Sequence, residues 1–305
     1  MKGLCLAALI ALKSTPTLGV LFRVLATQIA NYIELNMSIP ESIAPRLRIS
    51  LHEFQEILNA NIGQLVSSSF PLEWKEDYLS LSIAKYLRDY FRNVTIHGFR
   101  IPLHIDWEVY KLSGASEQRH GDIGVVVCYR LPNGSVITGA GFLEAKLRSR
   151  DSNRFDQVRT DQTDRLLRQS PMTQLLLYDF QPVIVLDQIF LREFYFQDFS
   201  PNPCRGALIP VATNTPVIPL QIAKAVDRYD HNLYPFCYSL SYQFAHRFFQ
   251  LHDLDFSSDA IAAVKGVPGG YDFPNIVMVL RVASSGMEPP GSSDFAVSSE
   301  FEPLK

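Results

Sequence analysis

A β-hairpin in the middle of the chain limits the fold more than any other feature. Residues 123–129 are rich in valine, residues 136–147 form a second strand-like run, and residues 131–134 between them read Leu-Pro-Asn-Gly. An Asn-Gly pair between two such runs is a strong signal for a tight hairpin turn. We therefore predict two adjacent antiparallel strands here, which excludes a purely helical fold.

Helical and strand-like segments flank the hairpin on both sides. Apolar residues at helical spacing predict helices over residues 51–65, 72–91, 220–228 and 238–251, and an apolar helix over 172–178. Short runs rich in β-formers predict strands over residues 94–99, 104–110, 182–186, 189–196 and 275–282. The proline-rich residues 200–219 indicate a loop. This order predicts an α/β fold in which helices flank a mixed central sheet.

The chain divides into four predicted parts. Residues 1–70 form an N-terminal helical extension, residues 71–200 the core with the hairpin, and residues 201–283 a C-terminal α/β elaboration packed on that core. Residues 284–305 are rich in Ser, Pro and Glu, a composition typical of a flexible tail. Hydrophobic residues make up 47% of the chain, so a disordered chain is excluded.

The apolar N-terminus allows three interpretations. Residues 3–12 follow Lys2 like the hydrophobic region of a signal peptide, but Lys13 ends the run and no clean cleavage site follows. Arg23 interrupts residues 17–35, whereas a membrane span needs about 20 uninterrupted apolar residues. Buried helices are therefore favoured over a signal peptide or a membrane segment. These helices could also contact a partner protein or a second copy in a homodimer. We expect a cytoplasmic protein outside the membrane.

The overall charge gives no indication of nucleic-acid binding. The net charge is −3 and the pI about 6.2, so such binding would need a local basic patch. The stretch after the hairpin is a candidate, because it contains Lys146, Arg148, Arg150, Arg154, Arg159, Arg165 and Arg168. Acidic residues are interspersed there, so the alternative is a solvated helix with internal ion pairs.

Charged residues on the hairpin indicate a candidate metal-binding or catalytic site. Side chains alternate along a strand, so Glu144 and Lys146 share one face while the apolar residues beside them face a core. The hairpin can bring Asp122 alongside Glu144, and two neighbouring carboxylates would repel unless a cation such as Mg²⁺ lay between them. The alternative is a Glu144–Lys146 ion pair on the surface of an edge strand.

The helix over residues 72–91 adds a third acid. Its predicted buried stripe consists of Leu79, Ile83, Tyr86, Leu87 and Tyr90. At roughly 100° per residue, Glu76 lies within about 30° of the centre of this stripe, whereas Asp77 lies about 130° away. An acid that serves the helix dipole is the alternative, but that role does not require Glu76 to point towards the sheet.

Together, Glu76, Asp122 and the Glu144-Ala145-Lys146 tripeptide resemble the signature of the PD-(D/E)XK nuclease superfamily, also called restriction-endonuclease-like. That signature has an acid on a helix, an aspartate at the start of a strand, and (D/E)-X-K on the adjacent strand of a hairpin. The resemblance covers about residues 72–196. Gly121 precedes the aspartate, where the superfamily pattern has proline.

The resemblance implies a restriction-endonuclease-like fold and a Mg²⁺-dependent nuclease, with Mn²⁺ as an alternative metal. Asp122, Glu144 and the Ala145 carbonyl would hold the metal, and Glu76 would be a direct or water-mediated ligand. Lys146 would orient or help to deprotonate the attacking water and stabilise the developing charge.

The resemblance also implies a glutamine near the site, because superfamily members often carry one on the helix after this strand. Gln157 and Gln162 are candidates, and Gln162 is preferred because it precedes Arg165 and the apolar turns of the helix. Tyr178 is expected to complete this helix as a packing residue.

The resemblance favours a nuclease that acts on DNA rather than RNA, in restriction, repair or defence against mobile DNA. Two other functions stay open. A nucleic-acid-binding or scaffold protein could keep the nuclease fold without catalysis. An acid–base hydrolase could use the same carboxylates on a sugar, although that chemistry does not need Lys146.

Overall fold

The computed structural model describes residues 47–99, 101–113, 122–156, 160–190, 206–267, 274–284, 286–292 and 294–304. Residues 47–305 belong to one compact unit. The interpretations of the apolar segments within residues 1–46, and Gly121, Gln157 and Arg159, lie outside the described residues.

Twelve strands and six helices are described in these ranges. The strands are β1 (Leu47–Ser50), β2 (Val94–His97), β3 (Leu103–Leu112), β4 (Ile123–Arg130), β5 (Val136–Leu147), β6 (Gln174–Tyr178), β7 (Val183–Phe190), β8 (Gly206–Thr213), β9 (Pro216–Pro219), β10 (Tyr238–Ser239), β11 (Ile276–Ser284) and β12 (Phe301–Pro303). The helices are α1 (Leu51–Ser69), α2 (Glu76–Phe91), α3 (Thr160–Gln169), α4 (Leu220–Val226), α5 (Leu240–Tyr242) and α6 (Ser258–Lys265). A 3₁₀ helix spans His231–Phe236, and α5 continues into a π turn (Gln243–Arg247) and a 3₁₀ turn (Phe248–Gln250).

Most strands form one large mixed sheet in the order β1-β2-β3-β11-β4-β5-β6-β9-β10, with β12 paired to β3. β7 and β8 form a separate antiparallel pair. The predicted hairpin is confirmed, because β4 and β5 pair antiparallel and the Gly134 N–H donates to the Leu131 carbonyl at 2.8 Å. Gly134 has a φ of +85°, which glycine adopts without strain.

Helices cover both faces of this sheet, so the predicted mixed α/β class with a helix-flanked sheet is confirmed. On one face, α1, α2 and residues 240–250 share a buried cluster with the strands that includes Phe54, Leu87 and Val125. On the other face, α6 packs on Val126, and α3 and α4 pack on Leu175. The neighbours Val125 and Val126 lie in different clusters because successive side chains of a strand point to opposite faces.

Three segments differ from their predicted structure. Residues 172–178, predicted as a helix, contain the strand β6, whose five residues are all buried. A short run of consecutive apolar residues, here Leu175–Tyr178, has the same pattern in a buried strand as in a buried helix. Residues 200–219, predicted as a loop, contain β8 and β9, where the prolines of β9 lie at its two ends. Residues 47–50, within a stretch predicted as helical, form β1.

The C-terminal third of the chain differs most from its predicted role. Residues 201–283 were expected to pack on the core, but β11 lies inside the sheet, antiparallel to β3 and parallel to β4. The predicted flexible tail of residues 284–305 is also wrong in its described part. There, β12 pairs with β3, Phe295 and Phe301 are buried, and Arg281 Nη1 donates to the Gly291 carbonyl at 2.6 Å. The two buried phenylalanines hold a segment whose composition is otherwise polar.

Candidate active site

The structure brings together the five side chains that the sequence singles out. Asp122 immediately precedes β4, and Glu144 and Lys146 lie on the neighbouring strand β5. Glu76 is the first residue of α2, and Gln162 lies in the first turns of α3. The carboxyl end of β5 and the starts of β4, α2 and α3 therefore meet at one place.

The ion pair between Glu144 and Lys146 is buried. Glu144 Oε1 lies 2.8 Å from Lys146 Nζ, and the two side chains are 3% and 10% exposed. Strand β5 lies between β4 and β6 within the sheet. The alternative of a surface ion pair on an edge strand is therefore wrong. Gln162 Nε2 donates to the same Glu144 oxygen at 2.7 Å, so an ammonium and an amide both hold this carboxylate.

Glu76 points towards the sheet, as its position on the helical stripe predicts. Its Oε1 accepts a hydrogen bond from the Leu147 N–H at 3.2 Å, and its Oε2 lies 3.7 Å from Lys146 Nζ. Burial raises the pKa of Glu76, the Lys146 ammonium opposes this rise, and the negative charge of Glu144 adds to it. The dipole of α2 alone would not draw Glu76 to the backbone of β5.

The side chain of Asp122 links the start of β4 to the backbone of β5. Its Oδ2 accepts a hydrogen bond from the Ala145 N–H at 2.7 Å. The N–H and C=O of one strand residue point towards the same neighbouring strand, so the Ala145 carbonyl also points to the side of Asp122. Burial raises the pKa of Asp122 well above its ordinary value, and Glu144 and Glu76 raise it further against the pull of Lys146.

Negative charge exceeds positive charge in this cluster, where three carboxylates surround one ammonium. Burial lowers the pKa of Lys146, but Glu144, Glu76 and Asp122 outweigh that effect and raise it above its ordinary value. Lys146 is therefore an ammonium at neutral pH. Because one ammonium cannot balance three ionised carboxylates, a divalent cation would stabilise the charged form of the site.

Asp122 Oδ2 and Glu144 Oε1 make the hydrogen bonds described above, and among the described residues no hydrogen bond to Asp122 Oδ1 or Glu144 Oε2 competes with a metal ion. Oxygen atoms of this kind, together with the Ala145 carbonyl, suit Mg²⁺. Within the described ranges, however, no three His, Cys, Asp or Glu side chains already stand together as a metal site. A cation that binds all three acids therefore has to draw their side chains together.

The basic residues after the hairpin separate into two groups. Arg148 Nη1 pairs with the buried Asp179 at 2.8 Å, and Arg150 Nη2 donates to the Pro71 carbonyl at 2.7 Å. Arg165 and Arg168 are exposed on α3. The sequence pattern treats these arginines alike, whereas the structure holds Arg148 and Arg150 against an internal carboxylate and a carbonyl and leaves the side chains of Arg165 and Arg168 exposed.

Sequence reasoning missed the side chains that hold the end of β5. Asp179 directly follows β6 and also accepts a hydrogen bond from the Tyr234 hydroxyl. Trp74 Nε1 donates to the Arg148 carbonyl at 2.9 Å and so ties the loop before α2 to β5. An aspartate at the end of an apolar run is the one sequence signal that could have drawn attention to this group.

Tyr178 lies on β6 rather than on the predicted helix, and its packing role is confirmed. The side chain is fully buried, and its hydroxyl lies 2.8 Å from Ser80 Oγ on α2. Burial raises the pKa of Tyr178, so the phenol stays neutral. This contact joins α2 to the strand next to β5 and helps to fix Glu76 beside the sheet.

Comparisons with protein families, with curated proteins and with solved structures find no match to this chain. Among the residues that the structure describes, no helix combines the length and apolar character that a membrane crossing needs. The interpretation of the site therefore depends on its own geometry and charge.

Proposed function

We propose that this protein is a Mg²⁺-dependent nuclease that hydrolyses phosphodiester bonds, in DNA rather than RNA. The observation that carries the proposal is the convergence of Glu76, Asp122, Glu144, Lys146 and Gln162 from four separate segments of the chain around one buried ion pair. A chance ExK tripeptide on a surface strand would not bring these partners with it.

Asp122, Glu144 and the Ala145 carbonyl are the proposed metal ligands, with Glu76 as a further direct or water-mediated ligand. The excess of buried and half-buried carboxylates supports this assignment, because each additional anion makes the binding of a divalent cation more favourable. Bound Mg²⁺, or Mn²⁺ in its place, would polarise the phosphodiester and lower the pKa of a coordinated water.

Lys146 contributes the positive charge of the protein's own side chains at the proposed active site. Its raised pKa keeps it protonated, so it acts by orienting the attacking water and by stabilising charge on the phosphate rather than as a free base. Gln162 holds the Glu144 carboxylate at 2.7 Å and so limits the positions that this ligand can take. Glu76 keeps the ammonium at the carboxyl end of β5.

The finer structural and biological assignments belong to the same proposal. We assign a restriction-endonuclease-like core to α2, β4, β5, α3 and β6, which carry the five side chains or lie directly beside them. Such a nuclease fits a cytoplasmic role in restriction, repair or defence against mobile DNA. The acidic net charge favours a partner, either a second copy or another protein bound through the apolar N-terminal segments.

A cleavage assay tests the proposal. Wild type, Lys146→Ala and Glu144→Ala are incubated with linear, circular and single-stranded DNA and with RNA, in Mg²⁺, Mn²⁺ or EDTA. Lys85→Ala, at an exposed lysine later on α2, is the matched control. We expect cleavage by wild type and the control with either metal, none in EDTA, and a loss of at least a hundredfold in both site variants.

Three outcomes would count against the proposal. Cleavage that persists in EDTA or in Lys146→Ala would exclude this mechanism. Nucleic-acid binding without cleavage, and without metal binding by calorimetry, would instead support the non-catalytic binding protein. Metal-independent hydrolysis of a glycoside that depends on Glu144 would support the sugar hydrolase.

A further inference from the structure

Two hydrogen bonds tie the segment before α2 to the residues that follow β5. Trp74 Nε1 donates to the Arg148 carbonyl at 2.9 Å, and Arg150 Nη2 donates to the Pro71 carbonyl at 2.7 Å. The bond from Trp74 is the better shielded from solvent, because the Trp74 side chain is buried whereas Arg150 is exposed. It is also the closer of the two to Glu76, which lies only two residues further along the chain.

The indole of Trp74 is held in place by two other aromatic rings. It packs edge-on against Phe70 and Phe180, with ring centroids 5.6 and 5.7 Å away, and these two rings stack on each other at 4.1 Å. A buried indole presents an apolar body and one polar N–H group, which needs a partner. Because the rings fix the direction of this N–H, the hydrogen bond fixes the Arg148 carbonyl relative to the start of α2.

The start of α2 depends on this support from outside the helix. Lys75 occupies the N-cap position, and among the described residues no side-chain hydrogen bond caps the first turn. The first N–H groups of a helix have no partner within the helix, and a capping side chain usually holds this end. Glu76 is the first residue of α2, so its position depends on how the preceding segment is held.

The contacts of Glu76 with β5 are too long to fix the helix by themselves. Glu76 Oε1 lies 3.2 Å from the Leu147 nitrogen, and Oε2 lies 3.7 Å from Lys146 Nζ. Leu147 precedes Arg148 directly, so the bond from Trp74 and the bond to Glu76 join the same two segments of the chain. A shift of about 1 Å in a catalytic group can cost about a hundredfold in rate, so the Trp74 bond controls a distance that matters.

We propose that Trp74 is a positioning residue for the candidate metal site, and that it acts by holding Glu76 against the carboxyl end of β5. This inference rests on the proposed nuclease function and makes the metal affinity of the site depend on an indole that touches no metal ligand. Groups that orient metal ligands typically contribute 10- to 100-fold to metal affinity. Trp74 acts on one ligand and through the backbone, so we expect an effect of about tenfold.

Metal binding without nucleic acid tests the proposal. The affinity for Mn²⁺ is measured by calorimetry for wild type, Trp74→Phe, Glu76→Gln and the double variant. Phenylalanine keeps an aromatic ring at position 74 but has no N–H group. Trp107→Phe is the matched control, because Trp107 is the only other tryptophan of the chain, is buried, and its Nε1 has no hydrogen-bond partner among the described residues. It lies on β3, three strands and thus about 14 Å from β5.

The control separates positioning from a general loss of stability. Both tryptophan variants should unfold at a lower temperature than wild type, because each shrinks a buried ring. Only Trp74→Phe should bind Mn²⁺ about tenfold more weakly, and it should need about tenfold more Mn²⁺ for half-maximal cleavage. Glu76→Gln should also weaken binding. If Trp74 acts through Glu76, adding Trp74→Phe to Glu76→Gln should cause no further loss of Mn²⁺ affinity.

The outcomes separate this inference from the function on which it rests. If wild type cleaves with Mn²⁺ but Trp74→Phe needs no more metal than Trp107→Phe, Trp74 is only a packing residue and the nuclease stands. A further loss of affinity in the double variant, as large as in Trp74→Phe alone, would show that Trp74 does not act through Glu76 and would also overturn the inference. If wild type neither binds Mn²⁺ nor cleaves any nucleic acid, both proposals fail.

Discussion

Replacing Lys146 with methionine removes the only cation within hydrogen-bonding distance of Glu144 among the described residues. Methionine keeps the length and the apolar stem of the lysine side chain, so the change mainly deletes the charge. Glu144 is 3% exposed and retains the Gln162 amide as its partner. The variant therefore leaves a nearly buried carboxylate without the ammonium that lies 2.8 Å away in wild type.

The expected loss of stability is large. Removing one partner of a buried ion pair costs about 3–5 kcal/mol, because the remaining charge is left uncompensated. The second contact of Lys146, with Glu76 at 3.7 Å, involves a carboxylate that is 26% exposed and contributes less. With about 2–4 °C per kcal/mol for a domain of this size class, we expect Tm to fall on the order of 10 °C at pH 7.5.

A double-mutant cycle with urea unfolding checks this reasoning. Adding Glu144→Gln to Lys146→Met removes the uncompensated charge, so the double variant should be more stable than Lys146→Met by about 2 kcal/mol. Addition of Mg²⁺ should raise the Tm of Lys146→Met more than that of wild type, since the ammonium no longer competes for Glu144. A loss below about 1 kcal/mol in Lys146→Met, or a double variant that is no more stable, would refute the account of a buried, mutually dependent pair.

Three further predictions concern other parts of the molecule. Burial lowers the pKa of His246 to about 4, so the folded state disfavours protonation of its imidazole. The free energy of unfolding should therefore fall by up to about 3 kcal/mol as the pH drops from about 6.5 to 4. Urea unfolding across this pH range should show a smaller fall for the variant His246→Gln. Arg148→Met should lose about 3–5 kcal/mol because Asp179 stays buried, yet leave the salt slope of nucleic-acid binding unchanged in anisotropy titrations. Phe301→Ala should lose about 3–5 kcal/mol in urea unfolding, whereas a mobile tail would show no change.

The local features of the site could be predicted from the sequence. The hairpin followed from valine-rich runs around an Asn-Gly turn, and the inward direction of Glu76 followed from the helical period. Strand alternation predicted that Glu144 and Lys146 share one face of the sheet. As it also predicted, Leu143 and Ala145 are buried in the hydrophobic cluster on the other face. Each of these depends on residues within a few positions of one another.

The features that could not be predicted depend on distant partners. In the sequence, Arg148 could not be distinguished from the other arginines. Its partner Asp179 lies 31 positions away, and only the pairing of β5 with β6 brings the two residues together. The run that forms β6 is apolar on both faces, so its period does not identify it as a strand. Phe295 and Phe301 are isolated large apolar residues in a mainly polar segment. Only the structure shows that both side chains are buried and so anchor the segment.

Strand β11 gives this protein a particular order of assembly during synthesis. The sheet places Ile276–Ser284 between β3 and β4, although more than a hundred residues separate it from β4 in the chain. At about 5–20 residues per second, a ribosome needs roughly 7–30 s to go from β4 to β11. During that interval β3 and β4 each expose an unpaired edge, which is the kind of surface that invites aggregation and chaperone binding. The Asp122 carbonyl, at the start of β4, accepts a hydrogen bond from the Ile276 N–H at 3.2 Å, so the candidate site gains its last strand neighbour late in synthesis.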